Sequence, residues 1–332
     1  MAYGWIIRMV KQIKILLAFL RLIRLPNLAI IAITQYFIRW FILKPLLVTA
    51  GFKVQLSTLQ FAMLVISTVA IAAAGYIIND YFDRKTDLIN RPGKVIVGRL
   101  ISRRYAMFFH IFFTALGILA GAAVAYSIHR LSLTIVFIFA AGVLWFYSTT
   151  YKSQVLVGNL VISALVGIVP LMVLLFELPL LVKKYQYYTI VQGIDFGYLI
   201  VWVCAYAGFA FMINLIREII KDMEDFEGDA IFGRKTIPIA WGMKISRDIV
   251  IVLIGLTILP ILYILYFHLD DKISFTYIIL FIIVPLLLIA FGTFWAATKQ
   301  QYHTLSQMVK LTMLTGLLYC PVADYIIGHY SG

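Results

Sequence analysis

Charge is scarce in this chain. Asp, Glu, Lys and Arg supply 13% of its 332 residues, about half the share of a soluble domain, while 63% are hydrophobic. The two cysteines, Cys204 and Cys320, stand far apart inside apolar runs. They exclude a disulfide framework and a cysteine-based metal cluster, and they read as small buried residues. His110, His129 and His268 show no ligand spacing and read as structural. Apolar and polar residues do not alternate, which excludes a membrane β-barrel. No small-residue cleavage site follows the basic N-terminal segment, so it does not read as a cleavable signal peptide.

What is abundant is long apolar runs, with a mean hydropathy of +0.97. Nine candidate spans lie near 16–43, 57–79, 105–128, 131–151, 155–177, 197–220, 246–268, 274–297 and 306–328. Each is about long enough to cross the hydrocarbon core as a helix. The expected fold is therefore all-α, a polytopic bundle of nine transmembrane helices forming one membrane domain over 1–332. The first span is expected to tilt or kink near Pro26. The net charge of +13 is explained by a membrane rather than by nucleic acid, because Lys and Arg collect in cytoplasmic loops and near anionic headgroups. With a cytoplasmic N-terminus, 21 of the 28 Lys and Arg fall on the cytoplasmic side. Nine spans then put the C-terminus outside.

Two stretches depart from this pattern. "NDYFDRKTD" (Asn79–Asp87) follows the second run, and "KDMEDFEGD" (Lys221–Asp229) follows the sixth. Asp80, Asp83 and Asp87 recur at offsets of three and four, and Asp222, Asp225 and Asp229 repeat those offsets 142 positions later. On a helix these spacings return to nearly one face, with Asn79 beside Asp83. Three like charges on one face repel, so something positive is required. Carboxylates and an amide, without His or Cys, suit Mg²⁺, which takes one or two carboxylates and completes its shell with water and substrate phosphates. Arg84, Lys85, Arg91 and Lys94 accompany the first triplet, and Arg217, Lys221, Arg234 and Lys235 the second. Acids, a divalent cation and Lys or Arg together make a diphosphate site. Its place at a membrane boundary gives that diphosphate a greasy tail. The bland alternative is a pair of solvated helix ends, but it does not account for two triplets of identical spacing.

At these residues the chain resembles the UbiA superfamily of intramembrane prenyltransferases. Asn79 to Asp87 match that family's N-D-x-x-D-x-x-x-D, and Asp225 and Asp229 match its D-x-x-x-D, with Asp222 an added acid upstream. "RLPN", "NRPGKVIVGRLISRR", the Gly158–Asn159 pair and "GRKTIP" are similar to family features as well. "REIIKDMEDFEGD" is most similar to the members that join geranylgeranyl diphosphate to geranylgeranylglyceryl phosphate. One departure stands out. Where the family has Tyr followed four positions later by Lys, this chain has Tyr147, Tyr151 and then Lys152.

The resemblance implies a central cavity open to the cytoplasmic side, two loosely repeated halves, and Mg²⁺-dependent transfer of a prenyl group from a prenyl diphosphate to a lipophilic acceptor in the cell membrane. The implied metal ligands are Asn79, Asp80, Asp83, Asp87, Asp222, Asp225 and Asp229. The implied diphosphate contacts are Asn27, Asn79, Arg91, Lys94, Lys152, Lys221 and Lys235. Asp83, Asp87, Asp222 and Lys152 are the expected catalytic residues, with Asp87 or Asp222 taking the acceptor's proton. An aromatic acceptor in quinone synthesis is the alternative within the family. From other classes the rivals are a lipid diphosphate phosphatase and an ion-coupled transporter. A transporter places its acids near the midplane on broken helices, whereas these acids stand at span boundaries beside basic loops.

Overall fold

The computed structural model describes residues 2–90, 93 and 95–330, and these are helical apart from short connections and one isolated bridge between Val97 and Ile101. A first helix, α1 (Ala2–Leu22), precedes the spans. Among the described residues nine helices are long and apolar enough to cross a membrane. They are α2 (Leu25–Thr49), α3 (Thr58–Asn90), α4 (Arg103–Ser127), α5 (Leu131–Thr149), α6 (Val157–Lys184), α7 (Gly197–Glu224), then α9 (Ile237–Phe267), α10 (Lys272–Trp295) and α11 (Lys299–His329). Between α7 and α9 lies a short helix, α8 (Phe226–Ile231).

The expected first span begins nine residues late. The chain breaks at Arg24, whose φ is +51°, and helix resumes at Leu25. Pro26 therefore does not kink a helix. It sits in the first turn of a new one, where its missing N–H has no partner to lose. At the other extreme α3 runs to Asn90, well past the expected end at 79. Its 33 residues extend about 50 Å, longer than a core of about 30 Å, so the whole Asn79–Asp87 motif is helical.

The chain divides into two compact units, residues 1–33 with 57–151, and residues 34–56 with 152–332. In the first, α3 and α4 pack through small residues. A Cβ at Gly117 would stand 2.6 Å from Ile71 Cγ1 and 3.0 Å from the Ser67 carbonyl. Ser67 Oγ donates to the Gly117 carbonyl at 2.6 Å, and His110 Nδ1 lies 3.1 Å from the Ala74 carbonyl. Lipid tails are as apolar as the helices, so close approach and interhelical hydrogen bonds hold such pairs together, each bond worth about 0.6 kcal/mol on average. His110 is thus structural, as expected. A tight turn at 96–101 carries Val97 and Ile101 into a core with Leu22, Ala73, Ile77 and Ala106.

In the second unit α6 and α7 pack in the same manner, with Gly167 against the Ala207 carbonyl. Buried Glu177 accepts backbone N–H groups of Gln55 and Leu56, and buried Arg39 donates to the Leu56 carbonyl. These opposite charges clamp the 55–56 backbone, which lets both be buried inside an apolar unit.

Candidate active site

Each unit carries one acidic motif. In the first, Asn79, Asp80, Asp83 and Asp87 occupy the end of one unbroken helix, as the spacing predicts. Asp83 is 4% exposed and Asn79, Asp80 and Asp87 are half-buried. Arg24 Nη2 donates to Asp80 Oδ1 at 3.1 Å, and the same guanidinium lies 4.8 Å from the centre of the Tyr76 ring. Arg103 makes a similar pair of contacts one turn on, with its Nη2 2.9 Å from Tyr81 Oη and its guanidinium 4.6 Å from that ring's centre. Gly98, at φ +82°, brings the turn onto the Arg84 side chain, and a Cβ there would stand 3.0 Å from Arg84 Cζ. Asn27 is half-buried in the first turn of α2, its N–H donating to the Arg24 carbonyl at 2.8 Å. Arg91 and Lys94 lie outside the described residues.

In the second unit the expected single face is interrupted. Helix α7 stops at Glu224, Asp225 forms the junction at φ −93° and ψ 9°, and Asp229 belongs to α8. The three acids therefore come from two helices and the link between them. Asp222 accepts from Asn159 Nδ2 at 2.8 Å. Behind it, Ser163 Oγ donates to the Asn159 carbonyl at 2.6 Å, and Asn214 Nδ2 donates to Ser163 Oγ at 3.2 Å. Asn159, Ser163 and Asn214 are all buried, so a polar ladder between α6 and α7 ends on Asp222. Asp229 is 3% exposed and pairs with Arg234 Nη1 at 3.3 Å. Glu218 holds Arg217 at 3.0 Å and Lys221 at 3.9 Å. The Lys235 N–H donates to the Ser153 carbonyl at 3.1 Å, which brings the Lys152–Ser153 turn to the chain just after α8.

Two partners of the second motif were not expected as such. Asn159 has a sequence signal, a polar residue at the start of an apolar run, and only the fold shows that it serves Asp222. His303, whose Nδ1 lies 2.9 Å from Glu224 Oε1, has none, because the two are 79 positions apart.

Among the described residues no group of three or more His, Cys, Asp or Glu is gathered tightly enough to hold a metal by itself. The donors are nevertheless the right kind for Mg²⁺: hard carboxylate and amide oxygens, some deeply buried, with cationic side chains alongside. Mg²⁺ needs only one or two carboxylates from protein when phosphate oxygens and water supply the rest, so the residues fit.

Comparison with known proteins agrees. The UbiA prenyltransferase family matches residues 40–313. A digeranylgeranylglyceryl phosphate synthase of Methanopyrus kandleri is 33% identical over 265 residues, covering 75% of this chain and 81% of that protein. A solved structure of digeranylgeranylglyceryl phosphate synthase superposes with a TM-score of 0.57 at 23% identity, over 94% of this chain and 99% of that one. A UbiA homolog from Archaeoglobus fulgidus bound to GPP and Mg²⁺ shares the fold at a TM-score of 0.56 and 18% identity, over 92% and 99% of the two chains. With nine apolar helices among the described residues and both acidic motifs inside the matched segment, this integral membrane protein is a prenyltransferase, and the chain belongs to the UbiA prenyltransferase family.

Proposed function

We propose that the protein transfers the geranylgeranyl group of geranylgeranyl diphosphate to geranylgeranylglyceryl phosphate, a step in ether-lipid synthesis. The observation that carries this reading is the 33% identity, over 75% of the chain, to a protein named for that product. The acceptor's hydroxyl oxygen bonds to C1 of the prenyl group, the bond from C1 to the diphosphate oxygen breaks, and the hydroxyl proton passes to a base. Asp87 or Asp222 would take it.

Both motifs are assigned to the donor's diphosphate. Asn79, Asp80, Asp83 and Asp87 of the first motif and Asp222, Asp225 and Asp229 of the second would hold Mg²⁺. When bound, Mg²⁺ neutralises the charge that grows on the leaving diphosphate. The Archaeoglobus fulgidus homolog bound to GPP and Mg²⁺ supports the choice of a prenyl diphosphate and of Mg²⁺. Lys152, Lys221, Lys235 and, outside the described residues, Arg91 and Lys94 add cationic contacts to diphosphate oxygens, and Asn27 an amide. The apolar surroundings keep water from the electron-poor C1. The bias in Lys and Arg puts the motifs on the cytoplasmic side of the cell membrane, with the N-terminus in and the C-terminus out.

The test is a matrix of donors and acceptors with purified protein in nanodiscs: geranylgeranyl, farnesyl and longer diphosphates against geranylgeranylglyceryl phosphate and several aromatic acids, with products read by mass. Digeranylgeranylglyceryl phosphate is the expected product. Prenylated aromatic acid in its place would overturn the acceptor.

A further inference from the structure

We infer that Arg24 recognises the phosphate of the acceptor, and so selects a phosphate-bearing lipid over a neutral one. The inference rests on the acceptor class proposed above and adds to it the residue that reads it.

Three observations carry it. The first is backbone conformation. Among the described residues Arg24 is one of three non-glycine residues at positive φ, at the break between α1 and α2. A left-handed arginine costs on the order of 1–2 kcal/mol, and strain of this kind concentrates where a side chain must be aimed. The second is aim. One edge of the guanidinium is fixed on Asp80 Oδ1 at 3.1 Å, and the group is braced at 4.8 Å from the centre of the Tyr76 ring, so the fork stands at the first acidic motif. The third is access. Its side chain is 36% exposed, against 21% for Asp80, so an anion can reach it.

Electrostatics then separates acceptor from donor. The donor's diphosphate is provided for by the acidic motifs, with Mg²⁺, and by the Lys and Arg beside them. An acceptor phosphate brings a second multiple anion toward the first, and their repulsion grows in a poorly solvated site. A cation at the edge of the acidic motif lowers that repulsion. Arginine suits the task better than lysine, because its planar fork binds phosphate oxygens in pairs and its stack on Tyr76 limits the freedom lost on binding.

The experiment measures equilibrium binding to the full chain in nanodiscs without divalent cations, using labelled geranylgeranylglyceryl phosphate and the corresponding phosphate-free lipid alcohol. Wild type is expected to prefer the phosphate. Arg24→Ala should reduce that preference ~10- to 100-fold, the usual range for a charge-assisted pair, and Arg24→Lys should reduce it less. Should Arg24→Ala fail to fold, Arg24→Lys is judged by the same ratio. An unchanged preference in the Arg24 variants overturns the inference. So does an equal loss of geranylgeranyl diphosphate binding. Wild type that does not prefer the phosphate overturns the proposed acceptor, and that result is visible before any variant is made.

Discussion

The two acidic motifs share their spacing and differ in build. Asp80, Asp83 and Asp87 are carried by one continuous helix, so their separations are set by helical geometry alone. Asp222, Asp225 and Asp229 are spread over α7, a junction and α8, so their separations are set by what holds those pieces together. The support differs accordingly. At the first motif Arg24 meets Asp80. The second is backed by the Asn214–Ser163–Asn159 ladder on Asp222, by Arg234 on Asp229 and by His303 on Glu224. Identical offsets in sequence therefore describe one motif that is rigid by construction and another that is rigid only through its neighbours.

The largest expected effect treats both motifs alike. Asp83→Ala and Asp225→Ala should each lower turnover by ~10²–10³-fold or more while leaving a folded protein, measured as prenyl transfer beside thermal unfolding. EDTA should stop wild type and Mg²⁺ restore it. Full activity in either variant, or turnover without divalent cation, would break the assignment of both motifs to one job.

Smaller effects should fall only on the second motif. Asn159→Ala removes the donor to Asp222 and should cost ~10–100-fold in apparent Mg²⁺ affinity, seen as a rightward shift of the Mg²⁺ titration. Ser163→Ala, one step further back, should shift it in the same direction by less. If neither moves the titration, the ladder is mere helix packing and the contrast between the motifs loses its content. His303→Ala is the mildest change. The pair is partly solvated, so its removal should lower stability by about 0.5–1 kcal/mol with kcat nearly unchanged, as measured by thermal unfolding and steady-state assay.

Much of this was legible beforehand, for identifiable reasons. Nine spans were found because lipid demands long uninterrupted apolar runs, a demand written locally in composition. Boundaries moved where local signals conflict with packing. Pro26 suggested a kink inside a span, whereas the break falls at Arg24, a residue type with no preference for positive φ, held there by Asp80 and Tyr76. The interruption at Asp225 carries no Pro or Gly within the preceding residues, so periodicity alone ran the helix through it.

What the sequence by itself determined is the class and the chemistry: a helical membrane protein, because only helices satisfy the backbone in such apolar segments, and two sets of hard oxygen donors, because their type and spacing are covalently given. What only the tertiary structure decided is which group holds each acid, whether Arg24, Asn159, Arg234 or His303. Those partners lie 56, 63, 5 and 79 positions from the acids they meet, and apart from Arg234 no local rule relates them. Side chains that far apart along the chain meet through the packing of whole helices, which no short window of residues encodes.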